Sequence, residues 1–132
     1  SPTFKQPPLD GTLLFPQVMD YHAEHSPSHP LFVYADAENE RHTISWSRAV
    51  RAFHRVAHIV RKHVDLASRP AVAILASTDT ITYWSVIAGI LRAGCRAFPI
   101  STRNSEAAVA HLLQSAACVH VFVSADATMQ KL

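Results

Sequence analysis

Ser101-Thr102-Arg103-Asn104 sets two hydroxyls, a guanidinium and a carboxamide side by side. Such a set can hold an anion, since arginine donates in a fixed fork and the neighbouring groups add single hydrogen bonds. The run follows Arg96 to Ile100, read as a short strand, and precedes a helix that starts at Ser105. A loop at the C-terminal end of a parallel strand is where open α/β sheets take ligands. On this reading Arg103 contacts a phosphate. The plainer reading has Asn104 and Ser105 capping the helix and Arg103 pairing with a nearby acid. Both stand at this point.

Nine histidines and two cysteines are the other groups that could do chemistry. His54 and His58 lie four apart on a predicted helix, and His22, His25 and His29 cluster near the N-terminus. Neither group has the cysteine or carboxylate complement that tetrahedral zinc requires, so no metal site is expected and the histidines are read as exposed. Cys95 and Cys118 flank two predicted strands and read as small buried hydrophobes. Pairing either with His111 or His120 as a nucleophile would need a lowered thiol pKa that nothing in the sequence signals. No catalytic residue is assigned. Only three glycines occur, Gly11, Gly89 and Gly94, and they form neither of the glycine-rich loops that cradle phosphates.

The elements that would carry these groups can be read from periodicity. With 132 residues, 48% of them hydrophobic and 17% charged, the chain has the composition of one globular domain; disorder and collagen are excluded. Six of eight prolines fall in residues 1–30, which predicts an extended arm with one short helix from about Pro16 to His25. Leu31 to Ala35 and Arg41 to Ile44 read as a hairpin. Trp46, Ala49, Val50, Phe53, Val56, Ala57, Val60 and Val64 then recur every three or four residues. That is the apolar stripe of an amphipathic helix, with Ser45 placed to cap it and Arg48, Arg51, Arg55, Arg61 and Lys62 on the other face.

Ala71 to Ala76 is continuously apolar, as in a strand covered on both faces. Asp79 stands before a helix over 80–93 that is apolar nearly all round and so expected to be deeply buried, with Gly94 as its stop. A helix after Ser105 and a buried strand over 119–123 follow. The resulting fold class is α/β, a three-layer α-β-α arrangement with a mainly parallel sheet in β-α-β-α-β-α-β order. A Pro-rich arm (residues 1–30) and a short hairpin precede it, and residues 31–132 make the α/β portion.

Charge is segregated: residues 1–40 hold six acids and one lysine, whereas residues 41–69 hold seven bases and one acid. No base-stacking aromatics sit among those bases, so a solvated helix face is preferred over nucleic-acid binding. The two longest apolar stretches, from Pro70 and from Ala107, are broken by polar residues and short of a membrane span. With no secretory signal and reduced thiols, a cytoplasmic, soluble chain is expected.

Leu91-Arg92-Ala93-Gly94 leading to a strand that closes on Pro99 resembles the early part of the AMP-binding, adenylate-forming superfamily. Thr43-Ile44-Ser45-Trp46 resembles that family's entry to its first long helix, and Phe98 to Ser105 is most similar to fungal non-ribosomal-peptide-synthetase-like and α-aminoadipate reductases. The resemblance covers about residues 12–125. It implies an adenylation domain in which a carboxylate attacks ATP to give an acyl-adenylate and a phosphopantetheine thiol then displaces AMP. The parent would use ATP, magnesium and phosphopantetheine, and NADPH where a reductase domain is present. Its phosphate loop, adenine segment, ribose aspartate and C-terminal lysine have no counterpart in these residues. The chain is therefore expected to be an inactive N-terminal portion whose partners are the rest of the domain and a carrier domain. The alternative is a self-associating α/β assembly module without catalysis, and in either case the isolated chain is expected to dimerise through an uncovered sheet edge. The substrate acid and the fate of the adenylate (reduction, transfer or ligation) are not encoded here.

Overall fold

Five consecutive apolar residues, Ala71–Leu75, form a strand with every side chain buried. That strand organises the C-terminal half of the protein. The computed structural model describes residues 2–126. It divides into two compact units, Ser1–Arg55 and Val56–Leu132.

In the first unit, helix α1 (Phe15–His25) starts with Pro16 in its first turn, and the Leu14 amide donates to Gln17 Oε1 at 2.7 Å. Strands β1 (Pro30–Ala35) and β2 (Arg41–Ser45) pair antiparallel, as expected. Their turn is tied by Asp36, whose carboxylate accepts from the Glu38 and Glu40 amides at 2.9 Å and meets His42 Nε2 at 2.6 Å. Asn39 takes the left-handed conformation there, φ 63°, which its short side chain tolerates. The proline-rich arm is tied to α1 and its following turn. The Lys5 amide donates to Ser26 Oγ at 2.8 Å, and the Tyr21 hydroxyl donates to the Gln6 carbonyl at 3.2 Å.

Helix α2 (Trp46–His63) follows β2 with no intervening loop. Ser45, expected to cap it, is the last residue of β2, and its hydroxyl meets Ser47 Oγ at 3.2 Å. The apolar stripe is as predicted: Ala49, Val50, Phe53, Ala57, Val60 and Val64 are buried, while the five cationic residues are exposed.

In the second unit, β3 (Ala71–Leu75) lies between β4 (Arg96–Pro99) and β5 (Cys118–Val123), both parallel to it. Helix α3 (Thr80–Arg92) links β3 to β4, and α4 (Glu106–Ser115) links β4 to β5. Because β4 and β5 lie on opposite sides of β3, crossovers of one hand must run over opposite faces of the sheet. The core shows this. Val72 and Ile74 pack with Ala57 and Val60 of α2, Val64 just after it and Ile90 of α3, whereas Ala73 and Leu75 pack with Val109 of α4. Alternate residues of one strand thus serve two cores, giving the expected α-β-α layers. Burying Val72 and Ile74 contributes about 1.5–3 kcal/mol each.

Three expectations need correction. β2 pairs with β1 in a separate two-stranded sheet, so the parallel sheet has three strands. Helix α3 is buried only at Ala88, Gly89 and Ile90; its first half is partly exposed, and Trp84 is 37% exposed. β5 is an edge strand: Val119 and Val123 are exposed, since no strand covers its outer side among the described residues.

Candidate functional site

The C-terminal ends of parallel strands are where the backbone must leave the sheet and where adjacent connections diverge, opening a crevice. Here the segment after β3 turns towards α3, and the segment after β4 turns towards α4. Asp79 starts α3, accepting from the Thr82 amide at 2.9 Å and from the Thr82 hydroxyl at 2.6 Å. These bonds, the hydroxyl's foremost, hold its carboxyl below the usual carboxylate range.

Beneath the first half of α3 is a cleft of about 370 Å³. Ile74, Val86 and Phe122 form its apolar part, and Ser77, Thr78, Thr82 and Ser124 bring hydroxyls to it. Its rim is fixed by a short relay. The Ser77 amide donates to Ser124 Oγ at 3.1 Å, and the Ser124 hydroxyl donates to Asp126 Oδ2 at 2.9 Å. Tyr83 also lines it, and burial pushes its phenol pKa up, so the hydroxyl keeps its proton. An apolar pocket with a few hydroxyl groups suits an apolar body carrying one or two polar atoms. Residues 77 and 124 are brought together only by the β3–β5 pairing, so spacing along the chain carried no signal of this cleft.

The Ser101–Asn104 run stands at the end of β4 and outside this lining. Ile100 donates its amide to the Ile74 carbonyl at 2.9 Å, which extends the sheet one residue past β4. Ser101 then organises the turn: its hydroxyl accepts from the Arg103 amide at 3.3 Å, and its carbonyl accepts from Asn104 Nδ2 at 2.9 Å. Ser105 caps α4, accepting from the Ala108 amide at 3.2 Å. Asn104 therefore closes the turn and leaves the capping to Ser105. Thr102 is half-buried, and Arg103 is exposed with no ion pair to an acid among the described residues.

The histidines divide. His25, His54 and His58 are exposed, and His54 Nε2 meets Asp20 Oδ1 at 3.0 Å. His22 departs from the expected exposure, being only 5% exposed. Its ring stacks between Phe4, with centroids 5.0 Å apart, and Trp46, at 4.4 Å, because α1 turns this position against the arm and the start of α2. His22 Nδ1 has no hydrogen-bond partner, and burial, aided by the charge of His29, lowers its pKa. No cluster of three or more metal-ligating side chains occurs among the described residues. Cys95 is buried and Cys118 half-buried; burial raises both thiol pKa values, which disfavours the reactive thiolate. No described helix is long and apolar enough to cross a membrane.

The sequence model of a family described as AMP-binding enzyme matches residues 19–132. Adenylate-forming reductase Nps10 of Heterobasidion annosum is 43% identical, over 93% of this chain and 12% of that protein. Adenylate-forming reductase Nps11 of Serpula lacrymans var. lacrymans (strain S7.9) is 39% identical, over 98% of this chain and 12% of that protein. The chain thus spans about an eighth of these relatives' length. In fold it is similar to a Mycobacterium tuberculosis fatty acyl CoA synthetase, with TM-score 0.73 and 19% identity over 88% of this chain and 22% of that one. It is likewise similar to the nonribosomal peptide synthetase FmoA3, with TM-score 0.69 and 22% identity over 86% of this chain and 11% of that one.

Proposed function

The chain belongs to the AMP-binding enzyme family, and on that premise we propose that it forms the N-terminal portion of a carboxylate-adenylating domain in a larger multidomain enzyme. The observation that carries this is the match over residues 19–132 together with relatives, named adenylate-forming reductases, of which the chain spans 12%. The parent makes an acyl- or aminoacyl-adenylate from ATP with magnesium, passes the acyl group to a phosphopantetheine thiol, and in the reductase group releases it with NADPH.

This chain's residues do not fit the triphosphate. A phosphate cradle needs backbone amides at a flexible strand-to-helix turn. The two such turns in the parallel sheet, residues 76–79 and 100–105, contain no glycine. Gly89 lies inside α3 and Gly94 follows it at φ 86°. The role proposed for these residues is therefore structural: residues 1–30 as the arm, and residues 31–132 as the α/β body against which the remainder of the domain and a carrier domain assemble. The cleft at Ile74 and Phe122 and the exposed Arg103 loop (Ser101, Thr102, Arg103, Asn104) are the proposed contact points for that assembly or for the carrier arm. A cytoplasmic setting belongs to the same reading, supported by two free cysteines. The exposed outer face of β5 supports self-association of the isolated chain.

ATP–pyrophosphate exchange tests the proposal. The chain alone should give no carboxylate-dependent exchange, and a longer protein carrying the downstream adenylation segments should give it. Exchange by the 132-residue chain alone, or a longer protein that exchanges equally well without these residues, overturns it.

A further inference from the structure

Helix α2 contains no aspartate or glutamate and carries five arginine and lysine residues in Trp46–His63. Three of them, Arg48, Arg51 and Arg55, follow the i, i+3, i+7 spacing that puts side chains in one row, about 10 Å long. All three are exposed, and no ion pair engages them among the described residues. Like charges at this spacing oppose helix formation, so the row weakens the element that carries it.

The row is also concave. Arg48, Arg51 and Arg55 line a groove of about 340 Å³, and Arg51 and Arg55 form one wall of a second, of about 430 Å³, whose other lining includes Ala23 of α1 and His54. Arg51 and Arg55 thus line both grooves. Each guanidinium presents a planar fork that matches a carboxylate.

We propose that Arg48, Arg51 and Arg55 form a docking surface for an acidic helix of a partner protein, with its carboxylates at matching three- and four-residue spacing. A nucleic acid fits less well. Residues 1–55 as a whole hold six acids against five lysines and arginines, so a long polyanion running from the row towards the N-terminus meets net negative charge. Trp46, the aromatic residue at the start of the helix, is half-buried and has one ring face stacked on His22. A short acidic segment confined to the row meets neither obstacle.

The test uses the 132-residue chain and a fluorescein-labelled, alanine-based helical peptide with glutamates at matching spacing, read by anisotropy. Saturable binding is expected, weakening as salt rises from about 50 to 200 mM and absent for the same peptide with glutamine in place of glutamate. The triple variant Arg48→Gln, Arg51→Gln, Arg55→Gln should bind at least about ten-fold more weakly, while the triple Arg→Lys variant, which keeps charge without the fork, falls between. Glutamine keeps helix propensity, and circular dichroism should show unchanged helix content. If the triple variant does not fold, Arg51→Gln alone, at the middle of the row and in the lining of both grooves, must weaken binding about three-fold or more. No saturable binding at about 1 mM chain, equal binding by the glutamine variants, or tighter binding of a single-stranded RNA or of phosphatidylserine vesicles at the same salt overturns the proposal.

Discussion

His22 should make the protein lose stability on mild acidification. The ring lies between Phe4 and Trp46, its Nδ1 has no partner, and His29 adds an opposing charge nearby. The unfolded chain protonates His22 near the ordinary value of 6.5, while the folded protein resists protonation because its pKa is lowered. Above that value the imidazole is neutral in both states and the full stability is present. As pH falls below it, the unfolded state takes up a proton that the folded state does not, so stability declines until the folded pKa is passed. One proton limits the slope to about 1.4 kcal/mol per pH unit. His22→Phe keeps a flat ring in the stack and removes the stranded nitrogen, whose burial without a partner costs about 1–3 kcal/mol. Urea unfolding followed by tryptophan fluorescence should be run on both proteins from pH 7.5 to 5. At pH 7.5 His22→Phe should be at least as stable as the parent. Its advantage should grow as pH drops to 5.5, at no more than that limiting slope, since the carboxylate and histidine pairs common to both proteins cancel. A difference that stays flat, or shrinks, would refute the account of a buried neutral imidazole.

Other perturbations test the fold around the cleft. Ile74→Ala should cost about 2–5 kcal/mol in urea unfolding, because Ile74 is 1% exposed at the centre of the sheet and its loss opens the core beneath the cleft. Ala117, at φ 50°, ends α4 in a conformation that opposes any Cβ; Ala117→Gly should therefore stabilise by about 1 kcal/mol. The reverse change, Gly94→Ala at φ 86°, should destabilise by a similar ~1 kcal/mol although nothing lies within 4 Å of the added Cβ, so backbone conformation and not crowding decides it. Ser105→Ala should cost about 1 kcal/mol by removing the cap on the Ala108 amide.

Much of the architecture was legible because single residues announce it. Asp79, Gly94 and Ser105 mark helix ends by chemistry that acts within a few residues, and the stripe from Trp46 to Val64 marks a buried face by period. What stayed hidden depends on which strand lies beside which. The run Cys118–Val123 is almost as apolar as Ala71–Leu75, yet one is an edge and the other is central, and hydrophobicity alone does not separate them. The partial exposure of α3 has the same origin, since its first turns overhang the cleft. His22 was misread because its neighbours Phe4 and Trp46 lie 18 and 24 positions away, beyond any local pattern. For the same reason the cleft between β3 and β5 leaves no mark in the sequence, since Ile74 and Phe122 meet only through strand pairing.

The order β4-β3-β5 also sets a timetable. The middle strand is made first, and both neighbours come later: β4 ends at Pro99 and β5 at Val123, whereas β3 ends at Leu75. At ~5–20 residues per second, the most apolar run of the protein leaves the ribosome about 2–10 s before its second neighbour is complete. Through that interval Ala71–Leu75 is an uncharged strand with open edges, the kind of segment that pairs with copies of itself. A nascent chain halted between Leu75 and Val123 should therefore be sticky, and one released after Val123 much less so. The position that makes β3 the keystone of the finished sheet makes it the hazard of the unfinished one.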